Sequence, residues 1–146
     1  MQGGNDTVTV KGGSVGTLSL GNGNDKVNMS GGKVSTMSLY GGTNTIAMNG
    51  GTVTSMTGGS GTNKITMNGG NIGWASGTAS SIAGSTNSEV LTVKGGTVTD
   101  AKLGDGADKF TMNAGSAKLV YMQNGNDTVT VKGGKVGTLS LGNGND

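Results

Sequence analysis

Residues 7–25, Thr7-Val8-Thr9-Val10-Lys11-Gly12-Gly13-Ser14-Val15-Gly16-Thr17-Leu18-Ser19-Leu20-Gly21-Asn22-Gly23-Asn24-Asp25, contain the unit from which the chain is built. Val8 and Val10 alternate with polar residues, Gly12-Gly13 ends the run, and Val15 stands alone. Leu18 and Leu20 then alternate again before a Gly/Asn turn. Short apolar alternation bounded by glycines is a strand signal, and no stretch keeps the spacing of an amphipathic helix.

The first pair recurs as Val27/Met29, Ile46/Met48, Ile65/Met67, Leu91/Val93, Phe110/Met112 and Val129/Val131. Each step is 19 residues, except that seven extra residues enter between Ile65 and Leu91. The second pair recurs as Met37/Leu39, Ala101/Leu103, Val120/Met122 and Leu139/Leu141, and fails in the third unit, where Gly58 follows Met56-Thr57. Two short strands and two turns per repeat predict an all-β fold, a parallel β-solenoid of the flattened β-roll type. About seven 19-residue coils are expected, stacked at the interstrand spacing of ~4.8 Å into a body roughly 35 Å long.

A longer repeat lies over the short one. Met1–Asp25 returns as Met122–Asp146, with changes only at Gly3/Asn124 and Ser14/Lys135. The offset of 121 residues equals six 19-residue steps plus the seven-residue insertion. Residues 1–146 are therefore expected to form one solenoid segment, with 1–121 as a module and 122–146 as the start of the next. Met1 matches Met122 and reads as a repeat residue, so both ends are expected to be cuts through a longer structure. Neither end carries the polar cap with which solenoids normally finish.

Composition limits the function classes. Thirty-two glycines and 3% aromatics would suggest low complexity, but regular apolar positions and the absence of Pro favour a hydrogen-bonded ladder. The net charge of +2 is carried by Lys alone. Without Arg, a lysine cluster or a stacking platform, nucleic acid is not expected as a partner. The lysines, scattered among outward positions, are expected to keep the faces solvated. There is no Cys for a disulfide scaffold and no apolar run long enough to span a membrane, so membrane insertion is not expected. With no His, no Cys, no G-x-S-x-G and no phosphate loop, an enzyme is not expected either.

Two positions before each first-strand pair stand Asp6, Asp25, Asn44, Asn63, Glu89, Asp108 and Asp127, and Asp146 continues the series. In a stacked fold these form one column. Asp6 over Asp25, and Asp108 over Asp127 over Asp146, would place carboxylates ~4.8 Å apart, where like charges repel unless a cation or proton intervenes. Asp105 adds another oxygen near the second group. The alternative is structural: Asp and Asn bond nearby backbone N–H groups in turns, and Asn44, Asn63 and Glu89 belong to the same turn ladder, the asparagines stacking as amides.

Leu20-Gly21-Asn22-Gly23-Asn24-Asp25-Lys26-Val27-Asn28 resembles the RTX nonapeptide G-G-x-G-x-D-x-U-x, with Leu in the first glycine position. Leu141-Gly142-Asn143-Gly144-Asn145-Asp146 and Gly104-Asp105-Gly106-Ala107-Asp108-Lys109-Phe110 are similar. The resemblance implies a secreted bacterial β-roll and Ca²⁺ bound at Asp6, Asp25, Asp105, Asp108, Asp127 and Asp146. The chain also resembles the passengers of large surface adhesins.

The insertion lies within residues 73–84 and contains the only tryptophan. Solenoid insertions become loops that often bind, so Trp74 and Ile82 are expected either to form a contact loop or to pack on each other. Thr and Ser alternate with inward residues at Thr17/Ser19, Thr36/Ser38 and Ser55/Thr57, as in flat ice-binding faces, but the columns break at Asp100/Lys102 and Leu119/Tyr121. The leading expectation is a structural part of an extracellular or cell-surface bacterial filament, stalk or adhesin. Its partners would be further copies of the module, in covalent tandem or stacked end to end, together with cells, surfaces or glycans. A Ca²⁺-folded module is the alternative, and an ice-binding solenoid a minor one.

Overall fold

The computed structural model describes residues 1–59, 61–72 and 88–146. The insertion expected as a loop within residues 73–84, Trp74 and Ile82 included, lies outside the described residues.

The described residues form two sheets of seven parallel strands each. The first sheet runs β1 (Thr7–Val10), β3 (Lys26–Met29), β5 (Asn44–Met48), β7 (Asn63–Met67), β9 (Val90–Val93), β11 (Lys109–Met112), β13 (Thr128–Val131). The second runs β2 (Ser14–Ser19), β4 (Lys33–Ser38), β6 (Thr52–Thr57), β8 (Asn71–Ile72), β10 (Thr97–Lys102), β12 (Ser116–Tyr121), β14 (Lys135–Ser140). The chain alternates between the sheets, so each coil adds one strand to each. This is a parallel β-solenoid.

Register follows the repeat. Val8 pairs with Val27, and Met29 with Met48, at offsets of 19 residues. Across the insertion, Ile65 pairs with Leu91 and Ile72 with Val98, and both offsets are 26. The seven extra residues therefore enter between Ile72 and Val90 and leave both ladders in step. A one-residue error would turn every inward side chain outward, which explains why the insertion keeps register on both sheets.

The core is a set of stacked columns. Val27, Ile46, Ile65, Leu91 and Phe110 form one, and Met29, Met48, Met67, Val93 and Met112 the next, all buried. The second sheet contributes Val34, Val53, Ile72, Val98 and Ala117. In place of a lone apolar residue followed by a separate pair, Val15 and Leu18 belong to one six-residue strand. Alternation slips there: Ser14, Val15, Thr17, Leu18 and Ser19 pair with the next coil, whereas Gly16 does not. Both apolar residues thus face inward with two polar-side positions between them, as in a strand that bends around a corner.

The turns depend on glycine because coils stack backbone on backbone. Gly125 has φ of 145°, and a Cβ placed on it would meet the carbonyl of Gly106 in the coil before. At the equivalent of Gly21 and Gly104, Tyr40 (φ 59°) and Gln123 (φ 76°) take the left-handed conformation without being glycine.

Gly125→Ala should lower stability by about 1–3 kcal/mol, the usual cost of a strained backbone position. Gly12→Ala, where nothing lies within 4 Å of the added carbon, should cost far less. Chemical denaturation of the two variants measures this, and equal losses would refute backbone stacking as the reason for Gly125.

Candidate functional site: the acidic turn column

The residues singled out as a column lie at the turn entering the first sheet, and the ladder brings them together. Asp25, Asn44, Asp108, Asp127 and Asp146 each use a side-chain oxygen to accept a backbone N–H from the coil before. Asp6 donates its N–H to Oδ1 of Asp25 at 2.8 Å, and Asp25 donates to Oδ1 of Asn44 at 3.0 Å. Glu89 donates to Asp108 at 2.8 Å, Asp108 to Asp127 at 2.9 Å, and Asp127 to Asp146 at 3.0 Å. In the middle, Asn44 Nδ2 donates to Oδ1 of Asn63 at 3.0 Å, and Asn63 Nδ2 turns to the Gly61 carbonyl at 3.1 Å.

A second ladder runs the other way from the preceding residue. Asn5 Oδ1 accepts the N–H of Asn24 at 2.8 Å, Asn24 Oδ1 that of Thr43 at 2.7 Å, and Asn126 Oδ1 that of Asn145 at 3.0 Å. The Asn24-Asp25 and Asn126-Asp127 doublets therefore clamp their turns to the coils on both sides. The acid column alone did not reveal these asparagines. Their signal was the recurrence of Asn5-Asp6, Asn24-Asp25, Asn126-Asp127 and Asn145-Asp146 at the repeat offset.

Asp105 stands apart. It is exposed, and its Oδ1 accepts from Asn124 Nδ2 at 2.6 Å, starting an amide row that Asn143 continues by donating to Asn124 Oδ1 at 2.9 Å.

The column carries an electrostatic problem. Asp25, Asp108 and Asp127 are buried, and their Oδ2 atoms, with that of Asp6, have no hydrogen-bond partner among the described residues. Burying a carboxylate with one bare oxygen is costly, and that cost favours the neutral form of the group. Asp108 shows this: loss of solvent, with lesser repulsion from Asp127 and Asp105, lifts its pKa from 3.8 to about 6, although hydrogen bonds involving Glu89 pull the other way. As for metals, no group of three or more His, Cys, Asp or Glu side chains converges among the described residues. Ca²⁺ takes six to eight oxygens, so an ion here would draw most of them from backbone carbonyls.

Two shallow surface concavities lie elsewhere among the described residues. One of about 360 Å³ is lined by Ser116, Ala117, Lys118, Lys135 and Gly137. Another of about 270 Å³ is lined by Ser38, Tyr40, Thr57, Gly58 and Gly59. Neither contains an acid beside a nucleophile. Among the described residues no helix is long and apolar enough to cross a membrane. Comparison with protein-family models, curated proteins and solved structures finds no match.

Because folded Asp108 holds its proton more tightly than the unfolded chain, its contribution to stability is complete below about pH 4 and lost as pH rises through about 6. Asp108→Asn keeps the oxygen that accepts the Glu89 N–H and puts a donor where Oδ2 is bare, the role that Asn44 Nδ2 plays for Asn63. Its melting temperature at pH 7.5 should rise by ~2–4 °C, as one gained hydrogen bond implies for a chain of this size. Its stability should also vary less than the parent's between pH 4 and 6. A lower melting temperature at both ends of that range would show that the carboxylate, in its charged form, is preferred.

Proposed function

We propose that the chain is a structural segment of an extracellular bacterial filament, stalk or adhesin, in which 121-residue solenoid modules follow one another and hold cells or surfaces together. The observation that carries this reading is that identical residues are covered at one end and open at the other. Val10 is 6% exposed and Leu20 0%, under the coil that holds Val27, Met29, Met37 and Leu39. Their repeats Val131 and Leu141 are 50% and 37% exposed. Each coil's core is thus covered by the coil after it. A coil with the sequence that follows Asp25, placed on β13 and β14, would cover Val131, Leu139 and Leu141 in the same way. Such stacking extends both ladders without a break, and backbone bonding between coils is independent of side-chain identity. Further copies could be joined covalently or add end to end by strand augmentation.

A chain with residues 1–121 placed before residues 1–146 should lengthen along one axis by ~29 Å, six coils at the interstrand spacing. Small-angle scattering measures the axis. Two independent bodies joined by a flexible point would refute the continuous rod.

A second reading has the support of the bare Oδ2 atoms: Ca²⁺ at the Asp6/Asp25 and Asp108/Asp127/Asp146 stretches, as the RTX resemblance implies. Far-ultraviolet circular dichroism with Ca²⁺ and with chelator separates the two readings. The rod reading expects the same β signal in both, whereas a signal present only with Ca²⁺ would establish the calcium-folded module.

A further inference from the structure

Lysines scattered in sequence are sorted by the fold. Six of the ten lie on the outer side of the first sheet or at the turn leaving it: Lys26, Lys64 and Lys109 on β3, β7 and β11, and Lys11, Lys94 and Lys132 just after β1, β9 and β13. All six are exposed. The outward strand positions of this sheet hold no Asp or Glu. The acids of the column lie behind it, turned to backbone N–H groups.

The arrangement is regular. Lys26 pairs across Thr45 with Lys64, and Lys64 across Val90 with Lys109. Strand lysines therefore stand two coils apart, ~9.6 Å at the interstrand spacing. Turn lysines occupy the first, fifth and seventh coils, in which the strand lysine is missing. Between them run hydroxyls such as Thr66, Thr92 and Thr111.

The geometry points to this sheet as a docking face for an extended acidic polysaccharide, with lysine ammonium groups on its carboxylates or sulfates and the threonine row on its sugar hydroxyls. Charge and chemistry choose the occupant. Nucleic acid is favoured by Arg forks and stacking aromatics that the face lacks. Taken together the two rows put one lysine on six of the seven coils, and a polymer with an acidic group on each sugar and hydroxyls between them matches both rows. This deepens the glycan contact in the filament reading by naming a surface and a ligand class, yet it needs only a single chain.

Binding of the whole chain to a polygalacturonate oligomer, to neutral dextran and to duplex DNA is measured by calorimetry at low salt. Polygalacturonate should bind and dextran should not. A Lys26→Gln/Lys64→Gln/Lys109→Gln variant should weaken binding about tenfold, through the loss of charge contacts. A Lys33→Gln/Lys118→Gln/Lys135→Gln variant on the other sheet loses the same charge and should change affinity by less than about threefold, on the same basis. Circular dichroism confirms that both variants keep the fold. Absence of polygalacturonate binding, equal loss in both variants, or tighter binding of DNA would each overturn the proposal. None of these results bears on whether modules stack, which the scattering measurement decides separately.

Discussion

The constraint on which everything else depends is register between coils. A parallel stack at ~4.8 Å pairs each strand residue with its equivalent 19 residues away, so backbone hydrogen bonding and side-chain columns are one arrangement seen twice. A coil alone has too few apolar side chains to offset the ordering of so many glycines and polar residues. Neighbouring coils supply the rest. This explains how a chain with 3% aromatics keeps Val, Ile, Leu and Met columns dry, and how an insertion of seven residues is tolerated only because both ladders resume in step.

Register also dictates the turns. Where one coil's backbone lies directly on the next, a side chain has no room, and glycine follows from contact as much as from its φ freedom. Where the turn leaves space, Asn and Asp take over and reach up or down to the neighbouring backbone. Tyr40 shows that the left-handed position need not be glycine when the side chain can project into solvent; it is about half exposed.

The fold was legible because strand alternation and a fixed period are local signals that stacking cannot change. Val8/Val10 and its six successors were enough. Legibility failed wherever the third dimension decides. Val15 and Leu18 break simple alternation because Gly16 leaves the ladder between them, so they read as two elements. The acid column was visible as positions, but which oxygen accepts which N–H depends on the offset between coils, so the opposed Asn5 and Asp6 ladders could not be read. Lys26, Lys64 and Lys109 are far apart in the chain and become one row only when coils are stacked.

In-register stacking has a penalty for charge, since it puts like over like. The lysines respect it: none has another lysine as its partner in the adjacent coil, and the strand lysines Lys26, Lys64 and Lys109 skip a coil each time. Asn44 and Asn63 escape it because an amide both donates and accepts, so like over like becomes a bond. Only the acids break the rule, with Asp6 against Asp25 and Glu89, Asp108, Asp127 and Asp146 in succession. Each of those links spends one carboxylate oxygen on a backbone N–H, a bond that an asparagine oxygen could make equally well, as Asn44 does for Asp25. Turn geometry therefore accounts for an oxygen at each of these links but not for a charge. A raised pKa at Asp108 removes part of that charge by protonation. The bare Oδ2 atoms of Asp6, Asp25, Asp108 and Asp127 thus separate the acidic ends of the column from its amide middle, where each spare atom is a donor with a partner.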